Sequence, residues 1–561
     1  MSESILKRVA GSVRLSRNVL TMLVAFWLML SVNLPFWHTV WQGVGGMSND
    51  SPLFLLSLPL FVWIWLYVLL SLLAWGRLTK PVLCLLVLVS AGASYFMNSY
   101  GIVIDSNMLT NVMQTDSAEA TELLNGRLFL WLLLLGVVPA LLISRAPIRQ
   151  LKWRRELVGK LGSMAALLGV FAVLVMSQYQ PYASLIRNHR EVRLMLVPSN
   201  VVSAVQGYVK RELASPTTLE VVGADAYRIM PVSTNHRPRV TVVVVGETAR
   251  AANSSLNGYA RQTNPELAQR DVINFPHASS CGTATAVSVP CMFQDVGRAD
   301  YKDSMASNRE GLLDVLQRAG VGVLWRDNNS GCKGACDRVP TEDVSHLHLS
   351  DICDGGECHD EALLNNLQAH LDSIERDTVV VLHMKGSHGP AYFKRYPAAY
   401  EHFTPVCKEV ELDRCDTASI VNAYDNSLLY TDHVLASTID LLRKNAARLD
   451  TAMLYMSDHG ESLGEHGMYL HGVPYAMAPS EQTHVPMVLW FSEGMQRSSG
   501  ISANCLRQQA GQDVSQDNLF HSVLGLMGVG TSVYQPQLDI FRSCMPATVA
   551  QHVENSEQRV D

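Results

Sequence analysis

Four side chains that could share one catalytic centre lie close to predicted buried strands. Glu247 follows the β-branched run 240–245 and Gly246, and Asp458 and His459 follow the apolar run 451–456. Parallel strands present their carboxyl ends at one edge of a sheet, so these three side chains should meet there. Such oxygen and imidazole ligands are typical of a catalytic zinc site. Each acidic residue alone is more often a helix cap or a solvated loop residue, so the prediction depends on all three.

The fourth candidate is Thr285, which lies in a loop bounded by Cys281 and Cys291. A threonine hydroxyl is a weak nucleophile at neutral pH unless a base or a metal lowers its pKa. A helix predicted to start in this loop would also present backbone N–H groups to an anion. The competing interpretation is that Thr283 and Thr285 are loop and helix-cap hydroxyls, which is the commoner role.

The alternation of predicted strands and helices around these residues indicates an α/β domain, with a mostly parallel central sheet flanked by helices on both faces. After the run 240–246, the further predicted strands are Val321–Trp325, Thr378–His383, Thr451–Met456 and Val485–Trp490. The predicted helices between them are Gly311–Ala319, Glu361–Arg376 and Ile420–Asn445.

Long apolar runs predict that the amino-terminal part of the chain is a membrane domain. Five of them are long enough, or nearly so, to cross a bilayer: Asn18–Trp37, Leu53–Trp75, Pro81–Met97, Leu128–Ser144 and Gly162–Ser177. The basic residues cluster before the first span and in alternate loops: Lys7, Arg8, Arg14, Arg17, Arg77, Lys80, Arg145, Arg149, Lys152, Arg154, Arg155 and Lys160. The other two loops, 38–52 and 98–127, contain one lysine or arginine between them, Arg127. The positive-inside rule therefore places the globular half outside the cytoplasm.

The apolar runs and the predicted strands divide the chain into three parts. We expect a five-helix transmembrane domain at 1–177, a connector along the membrane surface at 178–236 and an outer catalytic domain at 237–561. The formal net charge is −7, and no basic stripe interleaved with aromatic residues occurs in the globular half. Nucleic acid is therefore not an expected partner.

Ten of the eleven cysteines lie in the outer half, and Cys84 lies in a predicted span. Pairing nearest neighbours gives five disulfides: Cys281–Cys291, Cys332–Cys336, Cys353–Cys358, Cys407–Cys415 and Cys505–Cys544. The spacing of the second and third pairs also permits a structural zinc site with four thiolates. The outward topology favours disulfides, because they persist in oxidising compartments.

One outward loop carries a polar pattern of its own. Asn111, Thr115 and Glu119 are spaced at i, i+4 and i+8, so they would share one face of a continuous helix. By spacing alone, this face is more simply a solvated surface. The functional alternative is that it holds a polar lipid headgroup beneath the outer domain.

Several motifs of the chain closely resemble those of the lipid A phosphoethanolamine transferases. This family belongs to the alkaline phosphatase and sulfatase superfamily and includes the colistin-resistance enzymes. The resemblance covers nearly the whole chain. Its motifs are Val244-Val-Gly-Glu-Thr-Ala-Arg250, Ser280–Phe293, Trp325–Cys336, Ser387-His-Gly-Pro-Ala-Tyr-Phe393 and Ser457–Gly472.

The resemblance implies roles for particular residues. Those expected to surround a tightly bound catalytic Zn²⁺ are Glu247, Thr285, Asp458 and His459, with Thr285 as the phosphoryl acceptor. Those expected to bind substrate phosphate or a second zinc are His388 and His471. Those expected to contact the donor headgroup are Ser330 and Lys333, together with Asn111, Thr115 and Glu119. The chain departs from many relatives at His466, where they have asparagine.

The implied reaction moves phosphoethanolamine from phosphatidylethanolamine to a lipid A phosphate through a covalent threonine intermediate. It would take place on the periplasmic side of a bacterial inner membrane, catalysed by a multi-pass monomer. Added amines would weaken the attraction of lipid A for polymyxin and other cationic peptides.

Three other functions are weighed against this one. A sulfatase is disfavoured, because neither the sequence after Cys281 nor that after Cys291 fits the Cys/Ser-x-Pro-x-Arg motif of sulfatases. A related transferase using a core sugar, a periplasmic glucan or phosphatidylglycerol stays open. A membrane-anchored metal sensor without turnover would not need Thr285 as a nucleophile.

Overall fold

The computed structural model describes residues 14–45, 52–115, 117–188, 192–214, 218–229, 237–354 and 357–545. The chain divides into two compact units, one of Met1–Leu109 and Leu123–Tyr208, the other of Thr110–Glu122 and Val209–Asp561. The connector predicted at 178–236 is divided between them at Tyr208. Its residues 189–191, 215–217 and 230–236 lie outside the described residues, as do Lys7 and Arg8 of the predicted cytoplasmic flank.

The first unit consists of apolar helices. Among the described residues, four helices are long and apolar enough to cross a bilayer, or five if one bent pair counts as a single span. The fifth predicted span starts earlier than expected, at Trp153. The helices of this unit are Arg17–Ser31, Leu34–Gly45, Pro52–Leu73, Thr79–Tyr100, Gly126–Trp131, Leu132–Val137, Val138–Arg145, Trp153–Ser177, Tyr179–Asn188 and Val192–Met195. Two more helices, Ser106–Gln114 and Ser199–Ala214, have residues in both units.

The first predicted span, Asn18–Trp37, is not one straight helix. Two helices meet there at a bend of 60°, and the fully buried Asn33 lies in the break. Its amide donates to the carbonyl oxygens of Leu28 and Val197, each at 2.9 Å, and accepts from the Val197 N–H at 2.7 Å. A side chain thus satisfies backbone groups that a broken helix leaves exposed.

The second unit is organised around an eight-stranded sheet. Its strands, numbered along the chain, are β1 Arg239–Gly246, β2 Ile273–Ser279, β3 Gly322–Asp327, β4 Thr341–Asp343, β5 Thr378–His383, β6 Asp450–Ser457, β7 His484–Phe491 and β8 Val514–Ser515. Their order across the sheet is β8-β2-β7-β6-β1-β5-β3-β4. Only β7 runs against its neighbours, so the prediction of a mostly parallel sheet is confirmed.

Helices cover both faces of this sheet. Val243 and Val245 of β1 belong to one buried cluster, and Val242 and Val244 belong to another on the opposite face. Period-two alternation in which both sets are apolar is expected of a strand buried on both sides. The longer helices of this unit are Thr285–Met292, Leu312–Arg318, Thr417–Lys444, Glu493–Ser499, Ala503–Gln509 and Asp517–Met527.

The helix predicted at Glu361–Arg376 is wrong as a single element. A 3-10 turn occupies Asp360–Leu364, and a short α-helix occupies Leu367–Asp372. Between them Asn366 adopts φ +57°, a left-handed conformation that an α-helix does not continue through.

The five predicted cysteine pairs are the disulfides of the structure. The alternative of a four-thiolate zinc site is therefore wrong, because its sulfurs are bonded in pairs. Cys84 is the free cysteine among the described residues.

Candidate active site

Strand register brings two of the predicted ligands to one sheet edge. Gly246 pairs with Ser457 in the parallel ladder of β1 and β6, so Glu247 and Asp458 follow at the same level. The Asp458 N–H donates to the Gly246 carbonyl at 2.9 Å and extends the pairing by one residue. The shared edge follows directly from the parallel direction of the two strands.

The third and fourth residues complete a compact buried group. Thr285 Oγ1 lies 3.2 and 3.1 Å from the two carboxylate oxygens of Glu247, and 3.3 Å from His459 Nε2. His459 Nε2 also lies 3.3 Å from Glu247 Oε1 and 3.2 Å from Asp458 Oδ2. All four residues are buried. A hydroxyl, two carboxylates and an imidazole thus converge on one point.

The loop that carries Thr285 is fixed from several sides. A disulfide joins Cys281 to Cys291 across it, and Thr285 is the first residue of a helix. Thr283 Oγ1 donates to the Val473 carbonyl at 2.7 Å, and the Gly472 N–H donates to the Thr283 carbonyl at 2.7 Å. The hydroxyl is therefore held at a helix N-terminus, where the dipole favours an anion.

The electrostatics of the group favour a bound cation. Burial and the neighbouring charge of Glu247 raise the pKa of Asp458 to about 7. Burial would lower the pKa of His459, but Asp458 and Glu247 raise it to about 10. Burial would raise the pKa of Glu247, but the hydrogen bond and charge of His459 lower it. Two carboxylates thus compete for one positive charge.

The donor set fits a divalent metal. One oxygen or nitrogen each from Glu247, Asp458 and His459 lies within 4.8 Å of the others. Asp458 Oδ2 accepts no hydrogen bond from any residue that the structure describes, although it is fully buried. Carboxylate and imidazole ligands with a nearby hydroxyl match the preferences of zinc at a catalytic site.

His388 and His471 lie beside this group. The ring centroids of His459 and His471 are 4.4 Å apart, and those of His388 and His471 are 5.6 Å apart. His471 Nδ1 is 2.9 Å from Glu461 Oε2, and the Tyr392 hydroxyl donates to Glu461 Oε1 at 2.8 Å. With Nδ1 bonded to a carboxylate, Nε2 of His471 is the nitrogen available to a ligand.

Sequence reasoning missed Glu461 and Asn329. Glu461 lies within the motif Ser457–Gly472, and its burial beside His459 and His471 makes a second group of potential metal ligands. Asn329 lies just beyond β3, next to the predicted Ser330. Its amide donates to Glu247 Oε2 at 2.8 Å and to the Met384 carbonyl at 2.9 Å. Its place after a strand at the same sheet edge was the available signal.

Ser330 and Lys333 lie in a cavity of about 1190 Å³ that adjoins the group. Lys333 Nζ donates to Ser330 Oγ at 2.8 Å and to the Gln114 carbonyl at 3.3 Å. Ala286, which follows Thr285, lines the same cavity. An ammonium, a hydroxyl and a helix start therefore face a space open to a substrate.

The predicted continuous helix through Asn111, Thr115 and Glu119 is wrong. One helix ends at Gln114 and another spans Ser117–Glu122, while Asp116 and the side chain of Glu119 lie outside the described residues. Thr115 Oγ1 donates to the Asn111 carbonyl at 2.8 Å, a bond by which threonine competes with helical pairing. Thr110 and Gln114, rather than Asn111 and Thr115, line the cavity.

Three features define the class of protein: the sheet, the carboxylate and histidine group at its edge, and the hydroxyl at the start of a helix. They are the architecture of the alkaline phosphatase and sulfatase superfamily, and the family described as Sulfatase matches residues 239–529. A second family, described as Phosphoethanolamine transferase EptA/EptB, matches residues 62–213.

Individual relatives extend over nearly the whole chain. Phosphoethanolamine transferase EptA of Escherichia coli (strain K12) is 43% identical over 96% of this chain and 99% of its own length. Phosphatidylethanolamine transferase Mcr-1 of Escherichia coli is 39% identical over 84% and 89%. The solved integral membrane protein lipooligosaccharide phosphoethanolamine transferase A (EptA) of Neisseria meningitidis superposes with a TM-score of 0.91, at 38% identity over 95% and 100%. The chain belongs to the phosphoethanolamine transferase family and is a transferase.

Proposed function

We propose that this protein transfers phosphoethanolamine from phosphatidylethanolamine to a phosphate of lipid A through a covalent intermediate on Thr285. The observation that carries the proposal is the buried Thr285 hydroxyl, 3.1 to 3.3 Å from a carboxylate and an imidazole of a metal-binding group. A site that only bound metal would not need a hydroxyl at a helix start.

In the first step Thr285 Oγ1 forms a bond to the phosphorus of the donor. The bond from phosphorus to the diacylglycerol oxygen breaks, and His388 or His471, beside the metal-binding group, carries the threonine proton to that oxygen as diacylglycerol leaves. In the second step a phosphate oxygen of lipid A attacks the same phosphorus, and the bond to Thr285 breaks. Thr285 Oγ1 takes the proton that the lipid A phosphate gives up, so the hydroxyl is restored.

Glu247, Asp458, His459 and Thr285 would hold zinc. When bound, zinc would lower the pKa of the threonine hydroxyl and neutralise charge on the nonbridging phosphate oxygens. His388 and His471 would bind the phosphate or a second zinc. Lys333, whose ammonium lies in the adjoining cavity, would stabilise the same negative charge.

The membrane helices would keep this chemistry at the bilayer surface. By the charge asymmetry of the loops, the catalytic unit would lie in the periplasm of a cell with an inner membrane. A monomer suffices, because one chain supplies all the proposed residues. Modified lipid A would carry less net negative charge, which predicts resistance to polymyxin and cationic peptides.

The decisive experiment compares the wild-type protein with Thr285→Ala in cells that lack their own transferase. Mass spectrometry of lipid A, core oligosaccharide and periplasmic glucans should show phosphoethanolamine on lipid A only with the wild-type protein. Zinc content and thermal stability of the variant should be nearly unchanged. Undiminished modification by Thr285→Ala would refute the covalent route, and modification of core sugar or glucan instead would identify the related transferases.

The headgroup role of the outward segment has its own test. Glu119→Ala should weaken the use of phosphatidylethanolamine more than the hydrolysis of a small soluble phosphodiester. Equal loss on both substrates would show that this segment does not hold the donor headgroup.

A further inference from the structure

Arg395 is buried, with 5% of its surface exposed, and its guanidinium is engaged on three sides. Nε donates to the His388 carbonyl at 2.8 Å. Nη1 donates to Glu357 Oε2 at 3.1 Å, and Nη2 donates to Glu122 Oε2 at 2.6 Å. The planar guanidinium holds its N–H donors in fixed directions that match these three acceptors. A lysine ammonium would not reproduce those directions.

The three partners of Arg395 come from distant parts of the sequence. Glu122 is the last residue of the helix Ser117–Glu122. It belongs to the segment Thr110–Glu122, which is part of the second unit. Its side chain is 6% exposed. Glu357 lies next to the bonded Cys358, and His388 lies beside the metal-binding group. One guanidinium therefore ties the outward segment to the main chain of a proposed phosphate-binding histidine.

Three cations and two carboxylates meet around Arg395. Lys394 Nζ lies 3.1 Å from Glu122 Oε1, and Lys385 Nζ lies 3.1 Å from Glu357 Oε1. Burial would raise the pKa of Glu357, but the charges of Arg395 and Lys385 lower it to about 2. Removing Arg395 would leave the buried carboxylate of Glu122 paired with the half-exposed ammonium of Lys394, which stabilises a buried charge less well.

We propose that Arg395 is a positioning residue that couples the donor-headgroup segment Thr110–Glu122 to His388. Glu122, at the end of that segment, holds the guanidinium in the orientation that fixes the His388 carbonyl, so the headgroup segment and the histidine keep one relative position. This inference rests on the proposed function, because it assigns the headgroup to that segment and the phosphate to His388.

The test uses full-length protein in detergent micelles with phosphatidylethanolamine as donor and lipid A as acceptor. The variants are Glu122→Gln, Arg395→Lys and the double variant, and Lys394→Gln is the matched control. Lys394 pairs with the same carboxylate, but its side chain is 48% exposed. A soluble nitrophenyl phosphodiester that lacks the lipid reports the chemistry at Thr285 alone.

We expect Glu122→Gln to reduce kcat/KM for phosphatidylethanolamine about tenfold, while phosphodiester hydrolysis changes by less than about twofold. Arg395→Lys should reduce both reactions, because the His388 carbonyl loses its donor. The double variant should lose no more activity than Arg395→Lys alone, because both substitutions interrupt the same chain of contacts. Zinc content should be unchanged in all variants, and Lys394→Gln should resemble the wild-type protein.

Additive losses in the double variant would overturn the coupling, as would a Glu122→Gln variant indistinguishable from Lys394→Gln. Glu122→Gln preserves side-chain size, so this comparison decides the matter even if Arg395→Lys folds poorly. Wild-type protein that transfers nothing to lipid A would instead refute the proposed function, and the inference with it.

Discussion

Replacing Gly386 with alanine would test whether close packing holds the main chain of Glu247 in its catalytic position. Gly386 has φ +55°, and a Cβ added there would lie 2.5 Å from the Glu247 carbonyl oxygen and 2.9 Å from its nitrogen. Ordinary contact begins at 3.4 Å. The Glu247 main chain would therefore have to move by about 0.9 Å, because a packed interior has little free space.

Two costs follow from this geometry, and they can be separated. A left-handed conformation costs alanine about 1–2 kcal/mol of stability wherever it occurs. A displacement near 1 Å at a catalytic group costs roughly 100-fold in rate. Gly320→Ala supplies the control, because Gly320 has φ +84° and a Cβ added there would meet no atom within 4 Å. Gly320→Ala should therefore lose stability through its left-handed conformation, without any displacement of a catalytic group.

The assay combines thermal unfolding, zinc content and phosphoethanolamine transfer for both variants. Gly320→Ala should lose stability and keep full activity per folded molecule. Gly386→Ala should lose at least as much stability, about 100-fold in transfer and part of its zinc affinity. If Gly386→Ala keeps the activity of Gly320→Ala, Glu247 is not positioned by this contact and the reasoning is wrong.

Three further predictions concern single side chains. Asn329→Leu should lower zinc affinity or transfer by about 10- to 100-fold, measured by metal titration and lipid A mass spectrometry, because Glu247 Oε2 loses its amide donor; unchanged affinity and rate would contradict this. His466→Gly should raise the free energy of unfolding by up to about 1 kcal/mol without changing transfer, because the exposed His466 has φ +54°; a lower melting temperature would contradict it. Asn33→Leu should destabilise the detergent-solubilised protein by about 2–4 kcal/mol, because the N–H and carbonyl of Val197 lose their partners; a melting temperature like that of the wild-type protein would contradict it.

The sheet edge was predictable because strand direction alone determines where Glu247 and Asp458 emerge. Apart from one threonine each, the continuous runs 240–245 and 451–456 are apolar or aromatic, and such runs are typical of buried parallel strands. The disulfides were predictable because four of the five pairs lie within ten residues of each other in the sequence and the predicted compartment is oxidising.

What escaped prediction depends on contacts between distant residues. Asn329 could be recognised as a partner of Glu247 only once β3 and β1 were placed in one sheet with β5 between them. The break at Asn33 depends on Val197, far along the chain. Periodicity describes which face of an element is buried and gives no information about such bonds.

The turn between β5 and His388 shows how these contacts act together. Asp360 accepts the N–H groups of Lys385 and Gly386, at 2.7 and 2.8 Å, and the Ser387 N–H donates to the Glu247 carbonyl at 3.0 Å. The backbone of this turn is thus bonded to Glu247 at Ser387, and Arg395 donates to the carbonyl of the next residue, His388.

The bond at Ser387 keeps the main chain before His388 on Glu247, whereas Arg395 orients the His388 carbonyl. Loss of the Glu122 contact would therefore affect Arg395 and His388 and leave Glu247 in place. The difference in substrate sensitivity expected between Glu122→Gln and Gly386→Ala follows from this arrangement. The first should impair the lipid donor selectively, whereas the second should impair every substrate that requires Thr285.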